Sequence, residues 1–112
     1  MSVKIDRLNN TFMEEISKII HNEVKDKAVK FVTITEVKIT NDLSFAKVYF
    51  TSLDDDRKKV LDALNKASGF IRTALCDNVK IRKMPEIHFV YDESIDYGKK
   101  IENIIERINN ND

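Results

Sequence analysis

Apolar side chains recur at every third or fourth position along the first twenty residues of the chain. These positions are Ile5, Leu8, Phe12, Ile16 and Ile19. The spacing places them in one stripe and predicts an amphipathic helix of roughly five turns. The pattern fades after Val24, and the stretch "KDKAVK" (residues 25–30) is predicted to be a solvated connection.

The segment "FVTITEVKIT" (residues 31–40) is rich in β-branched residues, which favour strands. Its alternation changes phase, with Val32 and Ile34 in one phase and Val37 and Ile39 in the other. This slip predicts either a bulge near Glu36 or a strand that is partly buried on both faces.

A hairpin and a third strand are predicted from the segments that follow. The segment "TNDLS" (residues 40–44) has the composition of a turn, and "FAKVYF" (residues 45–50) is expected to return along the first strand. Farther along the chain, "IHFVY" (residues 87–91) follows Pro85 and predicts another strand.

Small residues interrupt the helical spacing between the second and third strands. Asp54, Asp55 and Asp56 precede the apolar positions Val60, Leu61, Leu64 and Ala67, and carboxylates favour the start of a helix. After Gly69 the stripe resumes in a shifted phase with Phe70, Ile71, Ala74 and Leu75. We therefore predict that Ala67-Ser68-Gly69 ends one helix and begins a second at an angle, with Ser68 as its cap.

The chain is expected to end in a third helical region. Ser94 is predicted to cap a helix with apolar positions Tyr97, Ile101, Ile104, Ile105 and Ile108, followed by a frayed tail at residues 109–112. The resulting order is α-β-β-α-α-β-α. This order predicts an α+β fold in which helices pack on a three-stranded sheet, in a single domain spanning residues 1–112.

Charge is unevenly distributed along the chain although its total is zero. Residues 57–83 carry eight basic and two acidic residues, a net of +6, between two acidic flanks. Such asymmetry favours a local positive face on a neutral molecule. The one cysteine, Cys76, excludes an internal disulfide, and no segment has membrane-spanning length, so we expect a cytoplasmic protein with no membrane partner.

The interruption at Gly69 predicts an anion site. The start of a second helix would expose backbone N–H groups, with no side chain on Gly69 to obstruct an approaching phosphate. Five cations accompany it: Lys66, Arg72, Lys80, Arg82 and Lys83. The structural alternative is that the small residues only turn the chain and that the cations are an ordinary solvated surface.

Motifs for other chemistry are missing from the sequence. Neither glycine-rich phosphate-loop pattern occurs, and His21 and His88 have no metal-ligand partners nearby. We expect Cys76 to be a small buried side chain and Asp54 to Asp56 to cap a helix. Tyr49, Tyr91 and Tyr97 have the chemistry to stack on RNA bases, but no aromatic cluster accompanies the basic segment, so we expect most of them to pack at the margins of the sheet and helices. No cofactor, metal or catalytic activity is predicted.

Three separated blocks carry a resemblance to a known family. They are "VTITEVKITNDLSFAKVYF" (residues 32–50), "LNKASGFIR" (residues 64–72) and "IRKMPEIHFVYDESIDYG" (residues 81–98). The element order is similar to the type II K-homology (KH) fold of RNA-binding domains, with Ala-Ser-Gly in place of the GxxG loop. Together these features resemble bacterial ribosome-binding factor A over about residues 5–105.

The resemblance implies a function and a set of residues. Members of the family bind the free small (30S) ribosomal subunit and 16S rRNA, assist late rRNA processing, act in cold adaptation and leave before translation. A GTPase partner in assembly and a monomeric state are implied. The family's interrupted-helix signature falls on Ala67, Ser68 and Gly69, and its basic positions fall on Arg7, Arg72 and Arg82. Pro85, Phe89 and Asp92 match its third-strand block and are expected to be structural.

This chain departs from the family pattern in two places. Members often have a proline and a glycine after the first helix, where this chain has "VKDKAVK" (residues 24–30). Many also have a longer charged C-terminal tail. The alternative function is a KH-like protein-interaction module without direct RNA contact. Added salt distinguishes the two, because phosphate binding weakens steeply with ionic strength whereas an apolar interface responds little.

Overall fold

Two α-helices and three strands form the described part of the chain, which comprises residues 3–54 and 56–93 of a computed structural model. The elements are α1 (Val3–Asn22), a short 3₁₀ helix (Lys27–Val29), β1 (Val32–Ile39), β2 (Phe45–Ser52), α2 (Arg57–Asn78) and β3 (Glu86–Tyr91). The last helix and tail expected from the sequence, residues 94–112, lie outside the described residues.

The strands form a mixed sheet in the order β1-β2-β3. β1 and β2 pair as the antiparallel hairpin that was predicted, whereas β2 and β3 are parallel and α2 forms the crossover between them. α1 packs on β1, and α2 packs on β3 and on α1. The strand residues under the helices are Val32, Ile34, Val37, Ile39, Ala46, Val48, Phe50, Ile87 and Phe89. The α+β architecture with helices on a three-stranded sheet is therefore confirmed.

The phase change in β1 is a bulge. Pairing with β2 shifts between Ile34, which lies opposite Phe50, and Glu36, which lies opposite Tyr49, so that Thr35 is the extra residue. The bulge restores the alternation, and the apolar residues on both sides of it are all buried. Of the two alternatives predicted for this strand, the bulge near Glu36 is confirmed, and burial on both faces is wrong.

The extra residue connects β1 to the end of β3. The Thr35 hydroxyl donates a 2.6 Å hydrogen bond to the carboxylate of Asp92, which is only 9% exposed. The Asp92 N–H in turn donates to the carbonyl of Phe50 on the central strand. Pro85 and Phe89 are buried as well, so all three residues that the resemblance marks as structural lie in the interior.

The expected helix pair is one continuous helix. α2 runs from Arg57 to Asn78 without a break at Ala67-Ser68-Gly69. Its inward-facing residues are Val60, Ala63, Leu64, Ala67, Ile71, Ala74 and Leu75, a single stripe at spacings of three and four. The phase shift expected at Gly69 came from including Phe70, which is 51% exposed and does not belong to the stripe. Continuous packing of the stripe holds the helix together through the glycine, because tertiary contacts outweigh helix propensity.

Two other expectations are corrected by burial. The connection after α1 is not wholly solvated, because Ala28 and Val29 in its 3₁₀ helix are buried and this turn packs against α2. Cys76 is exposed rather than buried, since Leu75 takes the inward position beside it.

Candidate nucleic-acid interface

The loop between α2 and β3 carries three of the predicted site cations. Its apolar residues are buried or half-buried: Val79, Ile81, Met84 and Pro85. Lys80, Arg82 and Lys83 are exposed between these anchors. The alternation of anchor and cation therefore directs the positive side chains into solvent.

Hydrogen bonds join this loop to α2 and to the hairpin turn. Arg72 Nη2 donates a 3.1 Å bond to the carbonyl oxygen of Met84. Lys83 Nζ lies 3.4 Å from Ser44 Oγ, and the Glu86 N–H donates to the Ser44 carbonyl at 3.0 Å. Arg72 and Lys83 are thus held near the hairpin end of the sheet, and Lys80 and Arg82 are exposed in the same loop. We call these four residues the basic loop surface.

Hydrogen bonds to the Asp42 carboxylate stabilise the hairpin turn beside Lys83. The Asp42 carboxylate accepts bonds from the Thr40 hydroxyl at 2.8 Å and from the Ser44 N–H at 3.0 Å. These bonds, with a smaller contribution from the Lys83 charge, lower the pKa of Asp42 to about 2. Leu43 has φ 61°, in the left-handed region that costs a non-glycine residue about 1–2 kcal/mol. The hydrogen bonds around it hold this strained turn next to the loop.

Arg7 lies at the same end of the sheet but apart from the loop. It is exposed on α1, two residues before Asn9, whose Oδ1 accepts a 2.9 Å bond from the Ile39 N–H at the end of β1. α1 packs on β1, whereas the loop leads into β3. Because β1 and β3 are the two edge strands of the sheet, Arg7 is not part of the basic loop surface.

The structure does not bring Lys66 into the basic loop surface. Lys66 instead lines a cleft together with three aspartates and two further lysines: Asp26, Asp56, Asp62, Lys58 and Lys59. The cleft lies at the N-terminal half of α2, where the 3₁₀ helix packs against it.

Ala67, Ser68 and Gly69 do not form a helix start. Ala67 is half-buried in the inward stripe, and Ser68 Oγ donates to the carbonyl of Asn65 at 2.7 Å instead of capping N–H groups. Gly69 is exposed, and a Cβ added there would meet nothing within 4 Å. The N–H groups around Gly69 lie within a continuous helix, so the expected anion site at a helix terminus is absent at this position.

Two tyrosines lie where the sequence predicted them, whereas one phenylalanine does not. Tyr49 and Tyr91 are half-buried at the sheet, as predicted, and Arg57 stacks over the Tyr91 ring at 3.9 Å. Tyr97 lies outside the described residues. Phe70, which the sequence reasoning placed in the core, is an exposed ring one residue after Gly69. Its exposure could have been found by noticing that Val60, Leu64 and Ile71 already form a regular stripe without it.

Other site types find no support within residues 3–54 and 56–93. No group of histidine, cysteine or carboxylate side chains there could hold a metal ion. The capping role predicted for the aspartates is confirmed at Asp56, whose carboxylate accepts from the Lys59 N–H at 3.1 Å. Asp55 lies outside the described residues. In the same part of the chain, neither helix has the length and apolar content that crossing a membrane requires.

Comparison with known proteins assigns the chain to a family. The model of the ribosome-binding factor A family matches residues 4–105. Ribosome-binding factor A of Staphylococcus epidermidis is 45% identical over 113 residues, which cover 99% of this chain and 97% of that protein.

Solved structures agree on the fold. The crystal structure of ribosome-binding factor A from Thermus thermophilus superposes with a TM-score of 0.73 at 22% identity, covering 78% of this chain and 94% of that one. A homology model of the Thermus thermophilus factor, fitted into a cryo-electron-microscopy map of a 30S complex with that factor, gives a TM-score of 0.62 at 22% identity. It covers 84% of this chain and 97% of that chain.

The architecture, a three-stranded mixed sheet with two helices on one face, is thus that of the small KH-like α+β proteins. The chain belongs to the ribosome-binding factor A family.

Proposed function

We propose that this protein binds the free small ribosomal subunit through 16S rRNA and that the basic loop surface makes the phosphate contacts. Two observations support the proposal: its family membership and the 30S complex of its Thermus thermophilus relative. The observation that carries the assignment of the surface is that Arg72 and Lys83 are bonded to Met84 and Ser44 around one loop, in which Lys80 and Arg82 are also exposed.

The chemistry of this surface suits folded RNA. Lysine and arginine side chains neutralise phosphates and position a protein by backbone shape and charge, with little base specificity. Arg7, at the same end of the sheet, extends the positive area toward α1. Lys66 and the Ala67-Ser68-Gly69 segment are proposed as a secondary margin of the contact, because Gly69 lies on the exposed side of α2 and has no side chain to separate its backbone from RNA.

The biological role follows from binding one rRNA arrangement better than others. A factor that prefers the maturing form of 16S rRNA raises the population of that form, which assists late rRNA processing. We propose a role in cold adaptation together with it. We propose that the protein acts in the cytoplasm as a single-domain monomer without catalysis or cofactor, and that an assembly GTPase is a further partner.

Co-sedimentation with purified small subunits at several salt concentrations tests the proposal. The test variant is Lys80→Gln/Arg82→Gln, which removes two exposed cations of the basic loop surface. The matched control is Lys25→Gln/Lys27→Gln, which removes two exposed cations near the opposite end of the sheet.

The test variant should bind more weakly and should lower the slope of log affinity against log salt by about 1.5, since each phosphate contact contributes about 0.7–0.9. The control should match the unaltered protein. Equal affinity and slope for the two double variants would show that the basic loop surface is not the contact, and binding that ignores salt would favour the protein-interaction module.

A further inference from the structure

A row of basic side chains crosses the open face of the sheet, on the side away from the helices. Lys38 on β1 pairs directly with Lys47 on β2, and Lys47 pairs directly with His88 on β3. All three side chains are exposed. Their neighbours along each strand point to the buried face, so the row lies on one surface, with Cβ atoms of adjacent members about 4.5–5.5 Å apart.

Aromatic rings flank the row along the central strand. Phe45 and Tyr49 lie two residues before and two residues after Lys47, and therefore on the same face. The Phe45 ring is 47% exposed and its centroid lies 5.6 Å from that of His88. Lys38 Nζ lies 5.7 Å from the centroid of the Tyr49 ring. Lys38, Phe45, Lys47, Tyr49 and His88 are called the open sheet face below.

This arrangement is unfavourable for the isolated protein. Like charges directly opposite one another destabilise a strand pair. An exposed phenylalanine ring contributes no hydrophobic free energy to folding, because its apolar surface stays in contact with water. Glu36 and Glu86 are exposed on the same face, and Glu86 Oε1 lies 3.3 Å from His88 Nε2. Among residues 3–54 and 56–93, neither carboxylate forms an ion pair with Lys38 or Lys47. Exposed rings beside unneutralised cations are the pattern with which proteins bind single-stranded nucleic acid, whose bases stack on rings while its phosphates meet cations.

We propose that a single-stranded segment of RNA docks on the open sheet face, with bases stacked on Phe45 and on the neighbouring rings and with phosphates on Lys38 and Lys47. The proposal rests on the proposed function, because RNA is the partner in both. It adds a second contact surface and specifies that the RNA bound there is single-stranded. A duplex does not fit, because its bases are stacked on one another and are unavailable to the rings. A second copy of this chain laid face to face would bring the lysine rows together.

The position of the open sheet face supports the assignment. Ser44, which contacts Lys83 of the basic loop surface, directly precedes Phe45 of the open sheet face. The two surfaces therefore meet at the hairpin end of the sheet. A folded RNA bound to the basic loop surface can therefore place an adjoining single-stranded segment on the open sheet face, because the two surfaces are adjacent.

Fluorescence anisotropy of a labelled short oligouridine, with the full chain as titrant, tests the proposal. The variants are Phe45→Ala, Phe45→Leu and Lys38→Gln/Lys47→Gln. Lys25→Gln/Lys27→Gln is the control with the same charge loss. Circular dichroism confirms that each variant is folded, which is expected because the altered side chains are exposed.

Loss of the stacked ring should weaken oligouridine binding at least about fivefold in both Phe45 variants, since leucine keeps apolar bulk but has no π face. The lysine pair variant should weaken binding to a similar degree, and the control should stay within about twofold. Phe45 variants that bind as the control does, or an RNA duplex that competes as well as oligouridine, would overturn the proposal.

Small-subunit co-sedimentation separates this proposal from the proposed function. If the unaltered protein sediments with small subunits but does not bind oligouridine, the open sheet face is wrongly assigned while the proposed function stands. If it binds oligouridine through Phe45 but does not sediment with subunits, the reverse holds.

Discussion

Replacement of Gly69 by alanine should stabilise the protein. Gly69 lies in the interior of α2, and a Cβ at this position would meet nothing within 4 Å. Its φ lies outside the left-handed region, so alanine fits the backbone without strain. Glycine in a helix interior costs about 1 kcal/mol relative to alanine, and no lost contact offsets that gain.

The expected increase is measurable by heat or by urea. For 112 residues, an increase of about 1 kcal/mol in the free energy of unfolding corresponds to a rise in Tm of about 4 °C. In urea the unfolding midpoint should rise by about 0.5–1 M, followed by circular dichroism, with an unchanged slope. A decrease in stability for Gly69→Ala would refute the continuous helix or its open surroundings.

Proline at the same position distinguishes a continuous helix from an interrupted one. At the first turn of a new helix proline is well tolerated, whereas in a helix interior it removes a hydrogen bond and costs about 3 kcal/mol or more. We therefore expect Gly69→Pro to be strongly destabilised, and a Gly69→Pro protein as stable as the unaltered one would mean that the helix restarts there.

Binding measured on the alanine variant then shows what the glycine contributes. If Gly69→Ala is more stable but binds small subunits less tightly, the glycine serves close approach of RNA to the backbone of α2. If binding is unchanged, the contact lies elsewhere, as on the basic loop surface.

Three further substitutions test the local structure. Asp56→Ala removes the helix cap that accepts from the Lys59 N–H and should lower the unfolding free energy by about 1 kcal/mol in urea titrations, while Asp56→Ser should restore most of it. Because folding lowers the pKa of Asp42 from 3.8 to about 2, its charge stabilises the fold above that range and the contribution disappears as pH falls from about 4 to 2. Asp42→Asn should flatten the dependence of Tm on pH in this window, and identical profiles would contradict the assignment. Thr35→Val removes the hydroxyl that donates to the buried Asp92 and should cost about 1–3 kcal/mol, whereas Thr35→Ser should cost little; equal losses would exclude the hydrogen bond as the cause.

Structural features that depend only on the burial pattern within one helix or strand could be predicted from the sequence. The slip between Ile34 and Val37 predicted either an extra residue in β1 or burial of both faces, and the structure has the extra residue, which brings all the apolar side chains of the strand to one face. The same reasoning should have identified α2 as continuous. Ala67 and Gly69 are small residues that favour an interruption, but Leu64 and Ile71 on either side of them continue one buried stripe.

Features that depend on distant parts of the chain were not readable in this way. The net charge of residues 57–83 indicated a positive face, but parallel pairing of β2 with β3 is what brings Lys83 against Ser44. Lys66 belongs to the same charged segment, yet it lies beside Asp26, forty residues earlier in the sequence. The row on the open sheet face likewise arises from register between three strands, which no local spacing determines.

The bulge in β1 also bears on how the length of this chain can change. Ile34 and Glu36 already lie opposite the consecutive residues Phe50 and Tyr49, so a chain without Thr35 would pair with β2 in an unbroken ladder. The hairpin therefore contains one residue more than pairing demands, and this surplus residue supplies the hydroxyl that holds Asp92. Deletion of Thr35 would leave the pairing of β1 with β2 regular but would remove the hydrogen bond from β1 to Asp92, which follows β3. A change of one residue in length at this point therefore alters the connection between the two edge strands and not the hairpin.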